Sequence, residues 1–149
     1  MKTAFSKLKS YLFDKKQNKI VYRFVTEQEK VALENNDISK LGGLWHNPNA
    51  GNTHKYKKGV KYMHFFDKKE DAITIYREFG KAKQYFCTYS IPNKILRKYV
   101  GKGFYIPIGY DNYTTIKEYA IPSAEFDTSW IVSINPTNEF LKEASSIKI

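Results

Sequence analysis

The chain is built from short apolar runs that are too brief for anything but strands. Residues 20–25, 61–66, 83–91, 104–108, 115–121 and 129–134 are each rich in β-branched and aromatic side chains, and turn or cap residues separate them. The run at 83–91 is the clearest. Tyr85, Cys87, Tyr89 and Ile91 fall on one face of an extended strand, and Phe86, Thr88 and Ser90 on the other. A chain patterned in this way has to form a sheet. Pro107 has no amide hydrogen to give to a ladder, so the run at 104–108 is expected at an edge or a bulge.

Helix signals fall between these runs. Thr26 followed by Glu29 makes a capping box, because the hydroxyl accepts from free amides of the first turn, and it predicts a helix over 27–35. Asp67 with Glu70 predicts a second helix, stopped at Gly80, with Ala72, Ile73, Ile75, Tyr76 and Phe79 on its buried side. Pro92 opens a third short helix carrying Ile95, Leu96 and Tyr99 inward. Residues 1–19 place Ala4, Phe5, Leu8, Tyr11 and Leu12 at helical spacing with lysines largely elsewhere, a basic amphipathic helix. Such a helix suits a membrane surface, nucleic acid or, most commonly, the domain's own core. Asn135-Pro136 predicts a C-terminal helix containing Phe140 and Leu141. Helices and strands do not alternate as regular βαβ units, so the pattern predicts an α+β domain with mixed or antiparallel pairing.

At 149 residues the chain suits a single domain, with its core in 20–134. Its 12 Tyr and 10 Phe supply a substantial apolar interior. No apolar run approaches the roughly 18–20 residues that cross a bilayer, so no membrane span is expected. The N-terminus lacks the basic head, apolar stretch and cleavage site of a secretory signal. Cys87 is the only cysteine, which excludes an internal disulfide and points to the reducing cytoplasm. With no thiolate-stabilising neighbour in sequence, Cys87 reads as a small buried residue.

The net charge of +10 is unevenly spread. Lysines crowd 1–19, 40–61 and 81–102, and the last two stretches contain no Asp or Glu. Clusters of this kind attract an acidic macromolecule, nucleic acid or protein, and phosphate-bearing small molecules; they also serve plain solubility. Overlapping the second of these clusters, residues 37–59 dissolve into turn chemistry: Gly42-Gly43, Asn47-Pro48-Asn49, Gly51-Asn52. A loop this long inside a compact domain is a candidate lid, and Trp45 and His46 within it are candidate ligand contacts or pins to the core.

The sequence has no Walker phosphate loop, no GxGxxG fingerprint and no GxSxG elbow. His46, His54 and His64 are too widely spaced for a local metal motif, and only folding brings them together. Three segments remain, and their order matters: Val21-Tyr22-Arg23-Phe24, then Tyr62-Met63-His64-Phe65-Phe66 running into Asp71-Ala72 and Tyr76, then Glu118-Tyr119-Ala120-Ile121-Pro122. Taken together they resemble the core of the ADP-ribosyltransferase-like, NAD-binding domains.

That resemblance implies a compact α+β domain of two short, mostly antiparallel sheets packed with flanking helices. It implies NAD as substrate, cleaved at its nicotinamide–ribose bond, with ADP-ribose passed to a nucleic-acid or protein target. Toxins occur among such enzymes, so a neutralising antitoxin is a possible partner. Glu118 takes the catalytic place, binding a ribose hydroxyl and stabilising developing oxocarbenium charge. Arg23 takes the dinucleotide contact, since a guanidinium presents a planar fork of donors. Tyr22, Tyr62, His64, Phe65 and Tyr76 complete the cofactor-binding set. Strand alternation puts Tyr62, His64 and Phe66 on one side and Met63 and Phe65 on the other, so these cannot all line one pocket.

The chain also departs from the family. The usual Ser-Thr-Ser stretch is missing, and Ile116 stands where arginine-modifying members carry Glu or Gln, which disfavours protein-arginine modification. Two plainer readings stay open: Arg23 as a strand arginine paired with an acid, and Glu118 as a solvent-facing residue beside Lys117. The rival function is a small basic RNA- or DNA-binding protein, or a ribonuclease-type toxin, using lysines on phosphate and aromatic rings on bases without NAD chemistry.

Overall fold

Every strand pairing among the described residues is antiparallel. The structure, a computed structural model, describes residues 17–44, 53–79, 84–105, 111–112 and 114–138. The main strands are β1 (Asn18–Val25), β3 (Lys61–Phe66), β4 (Tyr85–Pro92), β5 (Val100–Tyr105), β6 (Thr114–Pro122) and β7 (Ile131–Pro136), and β2 (Gly43–Leu44) is a two-residue addition to β3. They lie in the order β5-β6-β3-β1-β4-β7. Helices α1 (Glu27–Glu34), α2 (Lys69–Phe79) and α3 (Asn93–Lys98) flank the sheet, giving the expected α+β architecture.

Instead of two sheets there is one sheet with two wings. β1 and β4 pair along their whole lengths, from Asn18 opposite Pro92 to Val25 opposite Tyr85, and β5 pairs β6 in the same continuous way. Between the wings, β1 meets β3 through the register pair Tyr22 opposite Phe66. Where that ladder stops a side chain takes over, with Arg23 Nη1 donating to the His64 carbonyl at 3.0 Å. A buried carbonyl left unbonded would cost on the order of 1–3 kcal/mol, so this contact holds the two wings together where backbone pairing has ended.

Caps act locally as expected, but β5 runs over Val100–Tyr105, through Gly101 and Gly103 and upstream of the expected 104–108. β7 starts at Ile131, after a 3₁₀ turn at Thr128–Trp130, and not at residue 129. Thr26 Oγ1 accepts from Glu29 N at 3.2 Å and starts α1, and Asn36, at φ +54°, follows its end. Asn18 and Lys19 belong to β1, not to an N-terminal helix; the remainder of that expected helix, Trp45, His46, Pro107, and the expected helix around Phe140 lie outside the described residues. The long loop gains structure that its turn residues concealed. A short 3₁₀ turn spans Ile38–Lys40, and Gly42, at φ +75°, lets β2 approach β3 and the buried Ser123, whose hydroxyl donates to the Leu41 carbonyl at 2.9 Å.

The sheet carries a core on each face. One contains Val21, Met63, Phe65, Tyr89, Ile91 and Ile121, covered by α1, α3 and Phe126. The other contains Phe24, Phe66, Phe86 and Ile116, covered by Ala72 of α2. Burying a side chain of Phe or Ile size contributes about 1.5–3 kcal/mol, so both faces anchor the strands between them.

Candidate active site

Register decides which side chains can meet. Residues opposite one another in an antiparallel pair share a face, and neighbours along a strand take opposite faces. Tyr22, Phe66, Glu118 and Gly101 form one row across β1, β3, β6 and β5. His64 and Tyr62, at alternate positions along β3, lie on that same face. Arg23 and Phe65 lie on the other.

The expected convergence of Arg23 and Glu118 therefore does not occur. Arg23 is committed to the fold: Nε and Nη2 grip the Glu29 carboxylate at 3.0 and 2.8 Å, and Nη1 holds His64 O. Burial opposes the arginine's charge, but Glu29 beside it outweighs that and raises its pKa further. Phe65 is fully buried, edge-on to Tyr89 with centroids 4.9 Å apart, and is core, not a pocket wall. Tyr22 shares Glu118's face but stacks on Phe86 at 5.5 Å and lies two strands away with Phe66 between. Tyr76 lies on α2, its side chain outside those described.

On the Glu118 face a compact polar cluster forms. Glu118 is only 1% exposed, which removes the solvent-facing reading. His54 Nε2 stands 3.1 Å from Glu118 Oε1. The imidazole arrives on a strap, residues 53–57, that crosses beside β5 and β3. Thr53 N donates to Lys102 O at 2.9 Å, and Lys102 N donates back to Thr53 Oγ1 at 2.8 Å. Further along, Tyr56 OH lies 2.6 Å from His64 Nε2, and Lys57 N donates to Tyr62 OH at 2.9 Å. Burial, then the Glu118 charge, raises the Tyr56 pKa, so the phenol keeps its proton, and the His64 tautomer sets which of the two groups donates.

Beside this cluster opens a hollow of about 520 Å³, bordered by Tyr56, Tyr62, Tyr99, Lys55, Lys57 and Lys98, with the Glu125 carboxylate paired to Lys98 on the same wall. That volume falls within the usual range of small-molecule sites, about 300–1,000 Å³. His54 belongs both to the wall of the hollow and to the cover over Glu118. The arrangement offers cations for phosphate, aromatic rings for stacking, and a sealed carboxylate one imidazole away. Among the described residues no three His, Cys, Asp or Glu side chains gather to hold a metal ion.

Of the residues singled out in sequence, Glu118, His64 and Tyr62 come together. His54, Tyr56 and Gly101 complete the cluster and carried no warning, because residues 53–57 follow neither the strand nor the helix period. The available signal was the pair of alternating motifs His54-x-Tyr56 and Tyr62-x-His64 at the end of an acid-free stretch. Cys87 is buried, and burial pushes its thiol up to about 12, which suits an inert packing residue. No helix among the described residues is long and apolar enough to cross a membrane. No protein-family model matches the chain, and no curated protein or solved structure gives a significant match.

Proposed function

We propose that this protein is an ADP-ribosyltransferase-like enzyme that cleaves the nicotinamide–ribose bond of NAD, with Glu118 as its catalytic carboxylate. One observation carries the reading. The three segments that resemble the family contribute to adjacent strands, β6, β3 and β1, with Glu118, His64 and Tyr62 on a single face; Tyr62 lines the hollow and His54 stands between the hollow and Glu118. Glycosidic cleavage builds positive charge on the sugar, and a carboxylate held in a dry site stabilises that charge more strongly than one in water. The phosphate contact expected of Arg23 passes to Lys55 and Lys57, while Lys98 is paired with Glu125 at 3.4 Å, and the half-buried ring of Tyr99 offers a stacking surface.

The acceptor of ADP-ribose is an acidic macromolecule drawn by the same lysines, and a lone buried thiol suits a cytoplasmic setting. The test is nicotinamide release from NAD by purified protein. Wild type releases nicotinamide, and Glu118→Gln, which keeps the size and one acceptor of the side chain, lowers release by about 10²–10³ with its circular dichroism unchanged. No release by wild type, or equal release by the variant, contradicts the reading.

A second reading has its own support in the lysines and tyrosines around the hollow: a nucleic-acid-binding protein without NAD chemistry. It predicts RNA affinity that falls steeply with salt and ignores Glu118→Gln.

A further inference from the structure

Glu118 is sealed, yet a catalytic carboxylate has to meet its ligand. What seals it is a five-membered ring. The His54 imidazole lies in a slot whose floor is the Glu118 carboxylate, at 3.1 Å, and whose side is His64, with ring centroids 5.8 Å apart. Tyr56 lies along another side, with ring centroids 5.7 Å apart, and a further wall is Gly101, directly opposite Glu118 in the β5–β6 ladder. A Cβ on Gly101 would come within 2.5 Å of His54 Cε1 and Nδ1, so the slot admits the ring only because this position has no side chain. The segment that carries the ring is held by side-chain and backbone contacts at Thr53, Tyr56 and Lys57, none of them a continuous ladder.

We propose that the slot under His54 is a ribose seat and that His54 is its built-in occupant, displaced when a ribosyl ligand binds. A furanose is also a five-membered ring; it is puckered and deeper than the flat imidazole, and the extra depth comes from the departure of the strap that carries His54. Its hydroxyl donates to a carboxylate as an imidazole N–H does, and the groups attached to the sugar extend into the lysine-lined hollow just beyond His54. The inference rests on the reading of Glu118 as a ribose contact. It adds that the free protein is closed, that the strap at 53–57 swings out on binding, and that His54 sets the apparent affinity: a ligand that must first displace the ring binds more weakly by the fraction of molecules that are open.

The slot is tested without any turnover. In His54→Ala the seat is vacated beside an intact carboxylate. Free imidazole is expected to raise the melting temperature of this variant in a saturable way, ADP-ribose to compete with imidazole, and the variant to bind ADP-ribose more tightly than wild type. Loss of the imidazole effect in His54→Ala/Glu118→Gln is expected as well. ADP-ribose that fails to compete, or binds His54→Ala more weakly than wild type, overturns the proposal. Should His54→Ala not fold, wild type answers by NMR: saturation with ADP-ribose moves the His54 Cε1–H resonance to that of a solvent-exposed imidazole, and an unmoved resonance overturns the proposal. Gly101→Ala, whose methyl enters the slot, is expected to lose ADP-ribose binding. If ADP-ribose takes the seat while no nicotinamide is ever released from NAD, the seat stands and the proposed reaction falls.

Discussion

Two carboxylates on opposite faces of the sheet, Glu29 and Glu118, are held by a basic side chain, and the two differ in what surrounds them. On one face Glu29 meets Arg23 through two parallel contacts between residues six apart in sequence, with the third nitrogen group closed by His64 O. On the other, Glu118 meets His54 through a 3.1 Å contact between residues 64 apart, beside a hollow of about 520 Å³. The first arrangement is locally determined and leads nowhere. The second is assembled by tertiary structure and has a way out. Burial alone does not distinguish the two pairs; the adjoining cavity does.

The strongest way to break this comparison is to remove Arg23. Arg23→Ala leaves Glu29 buried without its cation and His64 O without its donor, and urea denaturation is expected to register a loss of about 3–5 kcal/mol. Arg23→Met with Glu29→Leu, which replaces both charges by apolar groups of similar size, is expected to recover most of it. Failure to recover would mean that the pair does more than fill the gap between the wings.

Smaller effects sharpen the same contrast. Ser123→Ala removes the donor to Leu41 O behind Gly42 and is expected to cost about 1–2 kcal/mol by denaturation. Tyr56→Phe removes the bond to His64 that helps hold the strap, costing about 1 kcal/mol in the same measurement. Hydrogen exchange at residues 53–57 should accelerate in this variant while exchange in β1 and β4 stays unchanged.

The smallest effect is on acid stability. Burial tends to raise the Asp67 pKa, but Tyr119, Lys19 and Lys117 around the carboxylate outweigh it and hold the group below its usual value. A carboxylate with a depressed folded pKa stabilises the fold above its unfolded pKa of about 3.9 and loses that contribution as pH falls through the folded value. Asp67→Asn should therefore be less stable than wild type at neutral pH, with the gap starting to narrow below about pH 4 and closing only as pH falls past the depressed folded value.

Much of the framework was legible because strands and caps are local signals. The alternation at 85–91 became β4, the run at 61–66 became β3 with the same bounds, and Thr26 started α1. Alternation also revealed in advance that Phe65 and His64 had to part company. The same rule applied to Tyr22 and Arg23 places only one of them on the face of Glu118, but which one depends on how β1 registers with β3. That register is a tertiary fact, set by Tyr22 opposite Phe66. His54 was illegible for a related reason. Its neighbours carry no period, and its role comes from a glycine 47 positions away, Gly101, that leaves room for its ring.

The central claim is that the Glu118 face performs the function and the Arg23 face only the folding. It is tested most directly by nicotinamide release from NAD in two folded variants measured side by side, Arg23→Met/Glu29→Leu and Glu118→Gln. The account predicts release near the wild-type rate from the first and almost none from the second. Loss of release in the first with retention in the second would contradict it.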